Sequence, residues 1–350
     1  MALTDRKLLI LQAIIDDYIL TGIPVGSRTL SKREDIRFSS ATIRNEMADL
    51  EEEGYLEQPH TSAGRLPSDK AYRLYVDTLM RTSRLSENEI RYIRGYFSDK
   101  MGEIESAINN TAKVLSDITN LTSVVMTPQI SKVKLNRIQL VKLSGHRALL
   151  VIVFNTGHLK DVMIHVPEDM DSSYLDMISN MISERVRGLT LPQAMNEINK
   201  IMNGDLAIHR EFIDNILTAV RSKSVEQTGK QIILGGTQNI FNHPEYRDVE
   251  KARNFLKLIE TKEPLYNMLS QSTDMEFTIR IGKENEIDEL KDMSVITATY
   301  RVGDTNLGSF GVIGPTRMNY AKVLSVMNLV GASINELLSC FVSINDKEEG

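Results

Sequence analysis

The sequence predicts an α+β protein built from more than one domain. Residues 1–80 hold short helix signals dense with turn punctuation, and helical spacing continues through 86–126. From about residue 124 the period switches to strands, returns to helices over 172–221, and then gives strands again. That order suggests a helical block inserted into a sheet domain.

Composition sets the outer limits. The 350 residues carry 41 Lys+Arg against 47 Asp+Glu, a formal charge of −6 at pH 7. At roughly 100–200 residues per domain, this length implies two or three domains. A 41% hydrophobic and 25% charged chain has globular composition. The single cysteine, Cys340, excludes an internal disulfide framework and a Cys-cluster metal site, and fits a reducing compartment. No apolar run reaches about 18 residues, so no membrane span is expected. Asp16 interrupts the opening apolar stretch, against a signal peptide. The expectation is a soluble cytoplasmic protein. Its acidic total means that any nucleic-acid contact must come from a local basic surface.

The first helix is expected over about Asp5–Leu20, with Leu8, Leu11, Ile15, Tyr18 and Ile19 on one stripe and Thr21-Gly22-Ile23-Pro24 ending it. Ser27 can cap a short helix, Arg28–Glu34. Ser39 or Ser40 can cap a third, ending at Gly54. Ile43, Met47 and Leu50 stand at i, i+4 and i+7 on that helix and must face a core. The opposite face then presents Ser40, Arg44 and Asn45, with Thr42 at its edge. Tyr55–Gln58 reads as a strand, 60–64 as a loop and Arg65-Leu66 as the return strand.

Helix, helix-turn-helix and hairpin is the winged helix-turn-helix layout. It needs short hydrogen-bonding side chains at the start of the third helix, where they reach base edges in the major groove. Residues 22–48 hold five basic residues (Arg28, Lys32, Arg33, Arg37, Arg44) against three acidic ones. The acidic run Asp49, Glu51, Glu52 and Glu53 lies at the far end of that helix, where it opposes the macrodipole. The same pattern also suits a plain three-helix bundle with one solvated face. In the hairpin, His60 and Arg65 can meet phosphate or the minor groove, and His60 can equally sit at a solvated tip.

Further on, Ser86 and Glu89 form a capping box ahead of Ile90, Ile93 and Phe97. Strands are expected at Val133–Leu143 and Arg147–Phe154, turning at Ser144-Gly145-His146, and at Leu159–Val166. Helical stripes follow at Leu175/Ile178/Ile182, Ala194/Ile198/Ile201 and Phe212/Ile216/Val220. A short apolar run, Gln231–Leu234, precedes another helix at Val249–Ile259. Strands at Phe277–Ile281, Ser294–Val302 and Leu307–Ile313 and a long helix from about Met318 to Phe341 close the chain.

Four segments carry a family resemblance: PVGSRTL (24–30), the long block SSATIRNEMADLEEEGYLEQPHTSAGRLPSDKAYRLYVD (39–77), GGTQNIF (235–241) and GVIGPTRMNYAKV (311–323). Through them the chain resembles the HrcA family of heat-inducible transcription repressors over essentially its whole length. The resemblance implies a homodimeric repressor of chaperone operons that binds double-stranded DNA at an inverted repeat called CIRCE. It also implies modulation by the chaperonin GroEL, no enzymatic activity and no cofactor. The implied architecture is a winged-helix domain (1–82), a GAF-like domain (83–155 and 236–345) and an inserted dimerising domain (156–235). Position by position, the implied DNA-binding residues are Ser39, Ser40, Thr42, Arg44 and Asn45 on the recognition helix. His60, Thr61, Ser62 and Arg65 match in the wing. Lys70 departs from the family pattern, which is expected to hold Gly there, two residues before Tyr72.

Other candidate sites are weak. The six histidines (His60, His146, His158, His165, His209, His243) show no ligand spacing such as HExxH. His158 and His165, seven apart in strand-like sequence, should face opposite sides of a sheet. Gly235-Gly236-Thr237 lacks the Lys-Ser/Thr completion of a phosphate loop and suits a tight turn. Gly311–Arg317 can offer a helix N-terminus with Arg317 beside it to an anion, or its glycines can serve close strand–helix packing.

Overall fold

A computed structural model describes residues 3–60, 64–81, 83–98, 104–127, 134–155, 159–167, 170–202, 212–218, 232–271, 277–302 and 305–347. Helix α1 (Asp5–Thr21) starts where the Thr4 hydroxyl accepts from Lys7 N and stops at Gly22, which is left-handed at φ +65°. After it come α2 (Ser27–Leu30), α3 (Ser40–Glu52), and the antiparallel pair β1 (Leu56–Glu57) and β2 (Leu66–Pro67). Val25 and Arg65 exchange backbone hydrogen bonds of 2.8 and 2.9 Å, which ties the hairpin to the loop before α2. Ile43, Met47 and Leu50 are buried against α1, as their spacing requires. Helix α2 is shorter than the sequence suggests. Gly26, not Ser27, occupies its N-cap position, and the Ser27 hydroxyl lies 3.2 Å from that of Ser40. Helix α4 (Asp69–Leu74) runs into a π-helical turn, Tyr75–Leu79.

Helices α5 (Glu87–Ser98) and α6 (Ile104–Thr119) lead into a five-stranded antiparallel sheet. Its strands are β3 (Thr122–Met126), β7 (Ile232–Gly235), β8 (Thr278–Ile281), β9 (Met293–Val302) and β10 (Thr305–Pro315), in the order β7-β3-β10-β9-β8. Strand β3 falls in a stretch that reads as mostly helical. All five of its residues are buried, and a short, fully buried run does not alternate, so period alone hides it. One face packs on α6 and α12 (Tyr320–Lys347), with α5 against those two helices; α10 (Val249–Thr261) and α11 (Glu263–Ser270) cover the other through a cluster including Phe255, Leu258 and Leu265.

Between β3 and β7 lies a separate three-stranded sheet of β4 (Leu135–Lys142), β5 (Arg147–Phe154) and β6 (Leu159–His165). Helix α7 (Ser172–Val186) covers it, followed by α8 (Leu191–Met202) and the helical residues 212–218 (α9). Serines of α7 satisfy the edge strand. Ser183 Oγ accepts from Ile138 N (3.1 Å) and donates to Ile138 O (2.7 Å), while Ser179 Oγ accepts from Leu140 N (2.9 Å). The expected domain edge at 155/156 falls inside this sheet. It would separate β5 from β6, which pair from Arg147↔His165 to Val153↔Leu159. Alternation marks a strand but not the sheet it joins.

The winged helix is clamped onto the sheet domain. The Arg73 guanidinium donates to Glu284 (Nε–Oε1 2.8 Å) and to Ile279 O (2.7 Å). Asp69 accepts from Lys283 N at 3.0 Å. Arg317 pairs with Glu245 and reaches Ile19 O, at the end of α1, at 3.3 Å.

Candidate nucleic-acid interface

The site is the amino-terminal half of α3 with the cations around it. Ser39 is the N-cap: its hydroxyl accepts from Thr42 N at 3.1 Å and lies 2.9 Å from the Thr42 hydroxyl. Two expected contact residues are therefore partly occupied in shaping the helix start, and Ser40 meets Ser27. Arg44 and Asn45 stand exposed, flanked by the exposed small residues Ala41 and Ala48. Small neighbours leave the helix backbone close to whatever lies against this face, and the helix start offers unpaired N–H groups to a phosphate.

Of the five basic residues near this surface, one is tied up. Arg33 bridges Asp17 (2.5 Å) and Asp35 (2.8 Å). Arg28, Lys32, Arg37 and Arg44 are exposed and have no ion-pair partner among the described residues. The charge count contained Arg28, Lys32 and Arg37, but nothing in their spacing distinguished them from Arg33 as free cations.

The acidic end of α3 is neutralised from outside the helix. Lys7 reaches Asp49 (3.2 Å) and Glu53 (2.6 Å), which raises its pKa, chiefly through the Glu53 hydrogen bond. Arg65 binds Glu51 at 2.8 Å, and Lys70 donates to Glu53 O at 2.8 Å while lying 4.2 Å above the Tyr55 ring. Arg6 holds Glu46 at 2.6 Å. Cations at a helix C-terminus offset what an acidic run would cost.

Two consequences follow for the expected site. The guanidinium of Arg65 is engaged by Glu51 at the base of the hairpin. Lys70 works as a cap for α3. His60 is exposed at the hairpin; Thr61 and Ser62 lie outside the described residues, as do His158 and His209.

The two glycine motifs are structural. Gly236 is left-handed at φ +58°, and Asn239 Nδ2 donates to Leu121 O at 3.2 Å across the turn. A Cβ on Gly311 would sit 2.4 Å from Ile296 O, so close strand packing explains that glycine. Among the described residues there is no group of three or more His, Cys, Asp or Glu placed to hold a metal. No helix among them is long and apolar enough to cross a membrane.

Comparison with known proteins agrees with the resemblance. Residues 105–324 match the family profile described as HrcA protein C-terminal domain. The chain is 41% identical over 337 residues to the heat-inducible transcription repressor HrcA of Halalkalibacterium halodurans, covering 96% of this chain and 98% of that one. It is 40% identical over 337 residues to the same repressor of Brevibacillus brevis, with the same coverage of 96% and 98%. A crystal structure described as that of a hypothetical protein shares the fold: TM-score 0.68 at 23% identity, covering 97% of this chain and 100% of that chain.

Proposed function

The chain belongs to the HrcA family of heat-inducible transcription repressors, which are not enzymes, and we propose that it acts in the cytoplasm as a homodimer on an inverted-repeat operator, CIRCE. One observation carries the reading: the exposed Arg44–Asn45 face of α3, served by four cations with no ion-pair partner among the described residues, while Asp49, Glu51 and Glu53 at its other end are paired. Arg44 and Asn45 are the base-reading side chains in this account; Ser39, Ser40 and Thr42 shape the helix start that meets phosphate, and His60, Thr61 and Ser62 lie in the wing. Two such helices related by a dyad read the two half-sites of the repeat.

We divide the chain into the winged helix (to 81), a GAF-like sheet domain (83–127 with 232–347) and an insertion (134–218). The dimer is placed on the insertion. Strand register sets Val141–Leu149–Met163 and Arg137–Val153–Leu159 as two rows on the sheet face turned away from α7. Leu159 is 60% and Met163 56% exposed, an apolar face that a second copy would cover. GroEL biases the equilibrium between DNA-competent and incompetent forms, and heat diverts it to unfolded clients.

Gel shift on operator DNA with and without chaperonin tests this. A specific, symmetric complex strengthened by chaperonin is expected. Absence of preference for the operator over scrambled DNA overturns the operator assignment, and equal binding in both conditions overturns the chaperonin part.

A further inference from the structure

A cavity of about 450 Å³ opens between the end of α10, helix α11, strand β8 and the 282–290 segment. Asn285 lines it, 3% exposed. Its Nδ2 faces Gly282 O, Leu290 O and Met293 O at 2.9–3.0 Å, whereas its Oδ1 is buried without a partner. A buried acceptor left unpaired costs about 1–3 kcal/mol, so an occupant that draws Oδ1 toward the cavity and donates to it recovers that cost. Arg280 also lines the cavity. It pairs with Val295 in the ladder, and Val295 belongs to the cluster under α10 and α11, so Arg280 rises from the covered face. It has no ion-pair partner among the described residues. Glu286 adds a carboxylate, and Met268, Ile287 and Leu290 supply apolar wall.

We propose that this cavity binds an apolar α-amino acid. Arg280 takes the carboxylate, Asn285 Oδ1 accepts from the ammonium with Glu286 balancing its charge, and the Met268–Ile287–Leu290 wall receives the side chain. The volume is within the range of small-ligand sites. The site is connected to the winged helix by one short turn. Glu284, next to Asn285, accepts from Ile281 N at 2.8 Å and holds Arg73, and Lys283 N donates to Asp69. A Cβ on Gly282 would meet Asp69 Oδ2 at 2.0 Å, so the turn has no slack against α4. An occupant that repositions Asn285 therefore shifts the clamp on the DNA-binding domain. This coupling rests on the repressor reading; the binding does not.

Titration calorimetry of the full chain with L-leucine, L-methionine and L-phenylalanine, without DNA, reads the binding half. Saturable binding of at least one is expected, weakened about tenfold or more in Arg280→Met while circular dichroism and melting temperature stay unchanged. No binding of any of the three at about 10 mM, or equal binding in Arg280→Met, overturns the site. Gel shift then reads the coupling: the bound amino acid should change operator affinity in the unmodified protein. In Arg73→Gln it should still bind and no longer change that affinity. An operator affinity that ignores bound amino acid in the unmodified protein overturns the coupling. Operator binding measured without amino acid separates that result from a failure of the repressor reading.

Discussion

Arg44 and Arg65 carry the same charge on neighbouring elements but stand in different surroundings. Arg44 is exposed and has no ion-pair partner among the described residues, so Arg44→Ala should change unfolding free energy by no more than about 0.5 kcal/mol. If it reads a base, the substitution should cost about 1–3 kcal/mol of specific operator affinity per half-site, or about 5- to 150-fold. Arg65 instead holds Glu51 at 2.8 Å, with both side chains partly exposed. Arg65→Ala should cost about 1 kcal/mol of stability, from the lost pair and from a carboxylate left facing the wrong helix end. Its effect on operator affinity should be the smaller of the two. Thermal unfolding measures the first quantity. Gel shifts on operator and scrambled DNA at about 50 and 200 mM salt measure the second. A phosphate-only role for Arg44 would appear as equal weakening on both DNAs and a shallower salt slope. A destabilised Arg44→Ala protein with unchanged operator binding would refute the reasoning.

Three other outcomes are expected. Met163→Asp places a charge on the exposed sheet face of the insertion, so sedimentation should show a monomer with intact secondary structure; an unchanged dimer removes the interface from that face. Ile182 is unsuitable for that test, because it is fully buried in the insertion's own core. Lys70→Gly removes the cap on Glu53 O and the contact above Tyr55, and should lower stability by about 1 kcal/mol in chemical denaturation; no change would remove Lys70 from the account of the acidic helix end. Hydrogen bonds from Lys322 and from the Ser86 hydroxyl and N–H hold Glu89 down to about 2 from an ordinary 4.5. Because the folded value is depressed, this stabilisation is complete above about 4.5 and is lost as pH falls toward 2. Glu89→Gln should flatten the acid side of the stability profile there, and an unchanged slope would exclude this group.

Much of this was legible from local rules. The stripe Ile43, Met47 and Leu50 fixed the buried side of α3 and, by subtraction, exposed Arg44 and Asn45. The Ser86–Glu89 capping box forms as read: Ser86 N donates to Glu89 Oε2 at 2.8 Å. Gly145 takes the left-handed turn, φ +74°, expected between β4 and β5. What stayed hidden depends on contacts distant in sequence. Nothing local says that Arg65 will face Glu51, that Arg317 will reach α1, or that β4 and β5 pair with β6 outside the main sheet. Strand β3 was missed because both its faces are covered. The acidic end of α3, unfavourable when read alone, is explained by Lys7, Arg65 and Lys70 arriving from three other segments.

The central claim is that the Arg44–Asn45 face of α3 lies in the major groove of each half-site. An iron–EDTA cleavage reagent tethered to Asn45→Cys, in a Cys340→Ser background, tests it directly on operator DNA. Strand cleavage is expected at two symmetry-related places, each centred on the major groove of one half-site. Cleavage outside the half-sites, or none from a protein that still binds the operator, would contradict it.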